Sequence, residues 1–210
     1  MSTNGPEIKK DFTEELQSII PESIAISNSV GLDEAINMLL LLERKCRTNS
    51  DFTNLKEVCL HMVRLCREKN DWVKLNSTLM VLNKRRAQSK IAITAIVHEA
   101  MTYLDAAPSK EVKTELIKTL MEICEAKIYV EAEGARLHLM LANILEEDGD
   151  LAGACDAIQD VHVETYGTLT KREKADYILQ QVRLNLLRQD LIRTMIQSRK
   201  MNRKTLDEEG

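Results

Sequence analysis

Glycine and proline are scarce in this 210-residue chain: 7 and 3 residues in all. No glycine falls between Gly31 and Gly134, and Pro108 is the single proline of that stretch. A β-protein of that length would need many more turn residues, so a sheet architecture is excluded. Aromatic residues are only 3% of the chain, with Trp72 the sole tryptophan. Strands favour aromatic and β-branched side chains, which again points away from them. No window holds the roughly 20 consecutive apolar residues that span a bilayer. The stretch from Met1 to Lys10 has no apolar core of the signal-peptide kind. Cysteines are odd in number (Cys46, Cys59, Cys66, Cys124 and Cys155) and contain no Cys-x-x-Cys pair. A disulfide framework is therefore not expected, and reduced thiols in cytoplasm or nucleus fit better.

What is present is Leu, Ile, Ala, Met, Lys and Glu, side chains that lose little freedom in a helix. Apolar residues recur at steps of three and four. Leu32, Ala35, Ile36, Leu39 and Leu40 form one stripe; Leu55, Val58, Cys59, Met62, Leu65 and Cys66 form a second. Val112, Leu116, Leu120, Ile123 and Cys124 follow, then Leu137, Leu141, Ile144 and Leu145, then Leu151, Ala154, Cys155, Ile158 and Val161. Such spacing places each set on one side of a helix. Thr170-Lys171-Arg172-Glu173 reads as a capping box opening a helix through Ile178, Val182 and Leu186.

The breaks between stripes are short: Gly31, Asn70-Asp71, Pro108-Ser109, Asp148-Gly149-Asp150 and Gln189-Asp190. They recur at a period of roughly 40 residues, the length of a helix–turn–helix repeat. Around Asp150, Leu141-Ala142, Leu145, Ala154 and Ile158 match the tetratricopeptide pattern, and the alanines would let two helices approach closely. At Gly31 the second half recurs as Ala35 and Leu39, whereas Leu75 and Leu79 replace the small and aromatic positions after Asp71. The reading is an all-α protein: a right-handed α-solenoid of antiparallel helix pairs, TPR/HEAT-like, with about five pairs. Residues 1–10 are expected to be a disordered lead-in, 11–204 the helical-repeat arm and 205–210 a tail.

Chemistry-bearing patterns are few. His61, His98, His138 and His162 are scattered, and no phosphate-cradling glycine loop or nucleophile elbow occurs. Cys59 and Cys66 sit two turns apart without the four convergent ligands zinc needs, so no metal and no cofactor are expected. The net charge of −4 argues against nucleic acid as the main partner. Two basic clusters stand out. Lys84-Arg85-Arg86, with Lys90, closes the second helix pair; Arg193, Arg199, Lys200, Arg203 and Lys204 decorate the last helix. Each reads equally well as a complement to a helix C-terminus or as a docking site for an acidic protein. Lys84, Arg85, Arg86, Arg193, Arg199 and Lys200 are the interface candidates.

Several strings resemble one family of proteasome lid subunits, the non-ATPase regulatory subunit twelve family (regulatory-particle non-ATPase subunit five). They are Leu82-Asn83-Lys84-Arg85-Arg86-Ala87-Gln88, Lys127-Ile128-Tyr129-Val130-Glu131, Val163-Glu164-Thr165-Tyr166-Gly167, Ile192-Arg193-Thr194 and Ser198-Arg199-Lys200-Met201-Asn202. The resemblance runs from about Gly31 to Lys204. It implies a non-catalytic scaffold with a helical arm and a C-terminal winged-helix (PCI) module. The implied partners are other lid subunits, the ATPase ring and the core particle. The PCI module lies outside this chain, so the residues here are expected to be the arm, monomeric on its own. Two other readings stand beside this one: the equivalent PCI subunit of the signalosome, and a free TPR-like peptide-binding adaptor.

Overall fold

Ten α-helices, three short 3-10 turns and no strand make up the described residues of the computed structural model, which are 11–201. The expected lead-in and tail, and the basic residues Arg203 and Lys204, lie outside them. The chain divides into two compact units after Val112. The first carries α1 (Thr13–Ser29), α2 (Leu32–Thr48), α3 (Phe52–Glu68), α4 (Trp72–Asn83) and α5 (Lys90–Met101). The second carries nearly all of α6 (Lys110–Cys124), then α7 (Glu131–Glu147), α8 (Leu151–Ile158), α9 (Lys171–Leu187) and α10 (Leu191–Arg199).

One local device makes four of the helix-to-helix links. Ser50, Asn70, Gly149 and Gln189 take left-handed backbone, with φ of 57°, 54°, 82° and 65°. The next residue is aspartate each time, and its backbone N–H bonds to a carbonyl five residues back: Asp51 to Cys46, Asp71 to Cys66, Asp150 to Leu145, Asp190 to Asn185. This closes the first helix in a Schellman motif. The same aspartate side chain then accepts from the N–H of Asn54, Lys74, Gly153 or Arg193 and so caps the next helix. One acidic residue thereby satisfies orphan groups of two helices, and the chain reverses in three residues. Sequence spacing found three of these links. It missed Ser50-Asp51, because only one of the four left-handed positions is a glycine. Gly31 is different: at φ 151° it caps α2, and a methyl there would sit 3.0 Å from Glu34 Oε2.

In the first unit α3 is the central helix, packed against α1, α2, α4 and α5. The stripe Leu55, Val58, Cys59, Met62, Leu65 and Cys66 is buried along its whole length, joined by Leu60 and Val63. The core of the second unit gathers Ala132, Ala135 and Ala142 from α7, Ala154, Cys155 and Ile158 from α8, and Tyr177, Ile178 and Leu184 from α9. Ala142 and Ala154 are fully buried, which is the close approach their small size predicts.

The α9 face departs from expectation. Leu186, assigned to its apolar stripe, is 50% exposed, while Gln181 and Asn185 are buried. Gln181 Nε2 donates to the carbonyls of Ile158 (2.7 Å) and Val161 (2.9 Å). Helix α8 stops after eight residues and leaves carbonyls that need a donor. A buried glutamine supplies one to both, where a leucine would leave the Val161 carbonyl unsatisfied and the Ile158 carbonyl with the Val161 N–H alone.

Within each unit, polar side chains bridge residues 36 to 41 positions apart. In the first, Ser23 Oγ meets His61 Nε2 at 2.8 Å and Arg47 Nη1 donates to the Arg86 carbonyl at 2.7 Å. Lys69 bonds Asn28, and Lys74 pairs with Asp33. In the second, Gly167 N–H donates to Glu131 (2.9 Å) and Arg136 pairs with Glu173 (2.7 Å). Arg183 grips Glu146 in two-pronged fashion at 2.5 and 2.6 Å, and Gln197 reaches the Gln159 carbonyl at 3.1 Å. Exposed pairs of this kind add little stability each. They place α1 beside α3, α2 beside α4 and α7 beside α9.

Candidate interaction surfaces

Two of the four histidines and all five cysteines are tied into structure. His61 is bonded to Ser23, and burial lowers its pKa, which favours the neutral ring. His138 Nδ1 lies 2.7 Å from the Ala157 carbonyl. All five cysteines are free and buried. Burial pushes the Cys66 thiol up to about 11 and the Cys46 and Cys124 thiols to about 12. Thiols held protonated in this way are poor nucleophiles and poor ligands. No group of three His, Cys, Asp or Glu among the described residues is placed to hold a metal ion. No described helix is long and apolar enough to cross a membrane.

The first basic cluster lies in the loop between α4 and α5. Lys84 and Arg86 are exposed, and Arg85 is half-buried. A buried acid holds this loop to α2. Glu43 is completely enclosed, and its Oε1 accepts from Arg47 Nε at 2.8 Å and Gln88 Nε2 at 3.2 Å. Arg47 then reaches the Arg86 carbonyl. The loop is therefore a clamped shape that presents Lys84 and Arg86 outward. Nothing in its sequence marks Glu43 as the anchor, because the anchor lies 39 to 45 residues earlier.

The second cluster belongs to α10 and its end. Arg193 turns back to its own cap at Asp190, 3.5 Å away. Lys200 pairs with Glu164 at 2.9 Å, so it locks α10 to the preceding layer. Arg199 is exposed beside Met195. Basic spacing alone hides a second property of α10: Leu191, Ile192, Met195 and Ile196 are between 54% and 75% exposed. Two i, i+4 pairs make a continuous apolar face. Set Asp150 against Asp190, and Met195 takes the place of Cys155, which is fully buried beneath α9. Its neighbours differ from that earlier repeat: Leu191 stands where Leu151 is half-buried, and Ile192 and Ile196 stand where Ala152 and Asp156 are exposed, so α10 carries apolar side chains at positions that face solvent. A patch of this kind marks an interaction site.

These features define a class: an all-helical protein of short-linked helix hairpins whose distinguishing surfaces are basic and apolar patches. Residues 34–210 match the model of the PSMD12/CSN4 N-terminal family, and the chain belongs to that family. It is 38% identical over 208 residues to the 26S proteasome non-ATPase regulatory subunit 12 of Dictyostelium discoideum, covering 99% of this chain and 46% of the relative. It is 42% identical over 182 residues to homolog A of that subunit in Arabidopsis thaliana, 87% of this chain and 41% of the relative. With the 26S proteasome regulatory subunit RPN5 of Saccharomyces cerevisiae it shares 34% over 208 residues, 98% of this chain and 46% of the relative. The chain thus spans less than half the length of these relatives.

Proposed function

We propose that this chain is the helical-repeat arm of a non-catalytic scaffold subunit of the 26S proteasome regulatory-particle lid, supporting lid assembly and ubiquitin-dependent protein degradation. The family match over residues 34–210, together with relatives named as proteasome regulatory subunits, carries this reading. The architecture supports it. Hairpins bonded at a 36 to 41 residue offset in each unit are what a right-handed α-solenoid of five pairs requires. A stack of that kind offers long surfaces and works by holding other proteins. Its partners are other lid subunits, the ATPase ring and the core particle, in cytoplasm and nucleus. The clamped loop with Lys84, Arg85 and Arg86 and the α10 face with Arg193, Arg199 and Lys200 are the contact surfaces.

The test is affinity purification of the tagged full-length protein followed by mass spectrometry. Lid subunits in near-equal amounts are expected. Recovery with signalosome subunits alone would establish the second reading, which the pairing of PSMD12 with CSN4 in the family name favours. Reversal of charge at Lys84 and Arg86 is expected to lower incorporation into the lid. Unchanged incorporation would remove that loop from the contact surfaces.

A further inference from the structure

The second unit contains a cleft that neither the family match nor the lid reading assigns. It lies between the C-terminal part of α6, α7 and α8, with a volume of about 720 Å³, within the range of pockets that take specific ligands. Gly134 sets its inner end. A methyl added there would meet Cys124 Cβ at 3.2 Å, so α6 and α7 come close at that point. Met121, Ala126, Ala157, Val161 and Tyr166 supply apolar lining, and Ile128 stands at its edge 79% exposed. The strings 127–131 and 163–167 meet here through the Gly167–Glu131 bond and contribute Ile128 and Tyr166 to the wall.

The charge of the lining is one-sided. Five carboxylates face two lysines. Glu131 and Asp156 are engaged, by the Gly167 N–H and by Arg188. Lys127 is turned onto the Ile123 carbonyl. Glu122, Glu125 and Asp160 are exposed and bonded to no cation among the described residues. Three unpaired acids around an apolar trough match a ligand with an apolar side and several positive charges. A small cation would use the carboxylates and waste the trough, and a neutral helix would leave the carboxylates unmatched.

We infer that this cleft between α6, α7 and α8 is a docking groove for a basic amphipathic segment of a partner protein, which seats apolar residues against Tyr166 and Ile128 and places lysine or arginine against Glu122, Glu125 and Asp160. The inference stands independently of membership in the lid. Its probe is a fluorescein-labelled amphipathic peptide with lysines on one helical face and leucines on the other, beside a counterpart with every lysine replaced by glutamate. Fluorescence anisotropy is read with the full chain over a range of salt. The lysine peptide binds, and the glutamate peptide does not. The triple variant Glu122→Lys/Glu125→Lys/Asp160→Lys weakens binding by about tenfold or more. The control Glu14→Lys/Glu22→Lys/Glu34→Lys, which changes net charge equally at exposed sites of the first unit, changes it by less than about twofold through screened long-range attraction alone. Ile128→Ser lowers affinity by about threefold; an exposed residue is replaced, so folding is not at stake, and circular dichroism checks each variant. Equal loss in the two triple variants would make the binding a bulk-charge effect and overturn the groove. So would failure of the lysine peptide to bind, equal binding of both peptides, or sedimentation showing that a second copy of this chain occupies the cleft.

Discussion

Replacing Glu43 by alanine is the sharpest test of how the first unit is held together. The carboxylate is completely enclosed, and the Arg47 side chain is 13% exposed. Removal takes the counter-charge from the Arg47 guanidinium in a nearly dry site and leaves the Gln88 amide only the Leu82 carbonyl. Breaking one partner of a buried pair costs about 3–5 kcal/mol. Arg47 keeps its bond to the Arg86 carbonyl and some contact with water, so the lower end applies, about 3 kcal/mol. That is a large share of a typical domain's stability of about 5–15 kcal/mol. Urea unfolding followed by circular dichroism would measure it. Glu43→Gln, which retains an acceptor and removes the charge, is expected to cost less. The double variant Glu43→Met/Arg47→Met removes both charges and fills the space, so it should be more stable than Glu43→Ala alone. Hydrogen exchange in residues 84–89 should accelerate in Glu43→Ala, because the loop loses its tie to α2. A loss below about 1 kcal/mol, or a double variant less stable than Glu43→Ala, would refute the reasoning that an enclosed ion pair anchors this loop.

Three further outcomes follow from the same structure. Gln181→Leu leaves the Val161 carbonyl without a donor and the Ile158 carbonyl with only the Val161 N–H, and should destabilise the second unit by about 2 kcal/mol in a denaturant titration; a neutral or stabilising effect would mean that the Val161 carbonyl finds another partner. The Thr170 N–H, Arg136 and the Thr170 hydroxyl push the Glu173 carboxyl down from its usual 4.5 to about 2. The folded state therefore holds this charge more tightly than the unfolded chain does. The stability advantage of the native protein over Glu173→Gln should be full above about pH 4.5 and shrink as pH falls toward about 2; a difference that grows on acidification would contradict the assignment. All five thiols should resist a disulfide exchange reagent at pH 8 in the native protein and react on denaturation, since burial keeps them protonated and covered. Rapid native reaction of any one of them would show that its helix opens.

Much of the helical framework was legible residue by residue. The α3 stripe from Leu55 to Cys66 is buried as its spacing predicts. The Thr170–Glu173 capping box forms with both of its bonds, and the small residues Ala142 and Ala154 meet in the core. Ser50-Asp51 escaped because a left-handed serine carries no compositional mark. The basic interface candidates could be named from sequence, but their circumstances could not. Lys200 and Arg193 are partly used in holding α10, whereas Lys84 and Arg86 are presented to solvent.

The sequence by itself determined the helices, their short links and the repeat length, because capping, left-handed turns and apolar spacing act between residues a few positions apart. Only the tertiary structure decided which polar groups go inside and which apolar groups stay out. Glu43, Gln181 and Asn185 are buried, and Leu186, Ile192 and Met195 are exposed. Each of those outcomes depends on what lies against the side chain, and that neighbour often comes from another element: Gln88 is 45 residues from Glu43, and Ile158 and Val161 are 23 and 20 from Gln181. The acidic cleft has the same origin: its lining comes from α6, α7, α8 and the turns beside them, and no local stretch of sequence contains it.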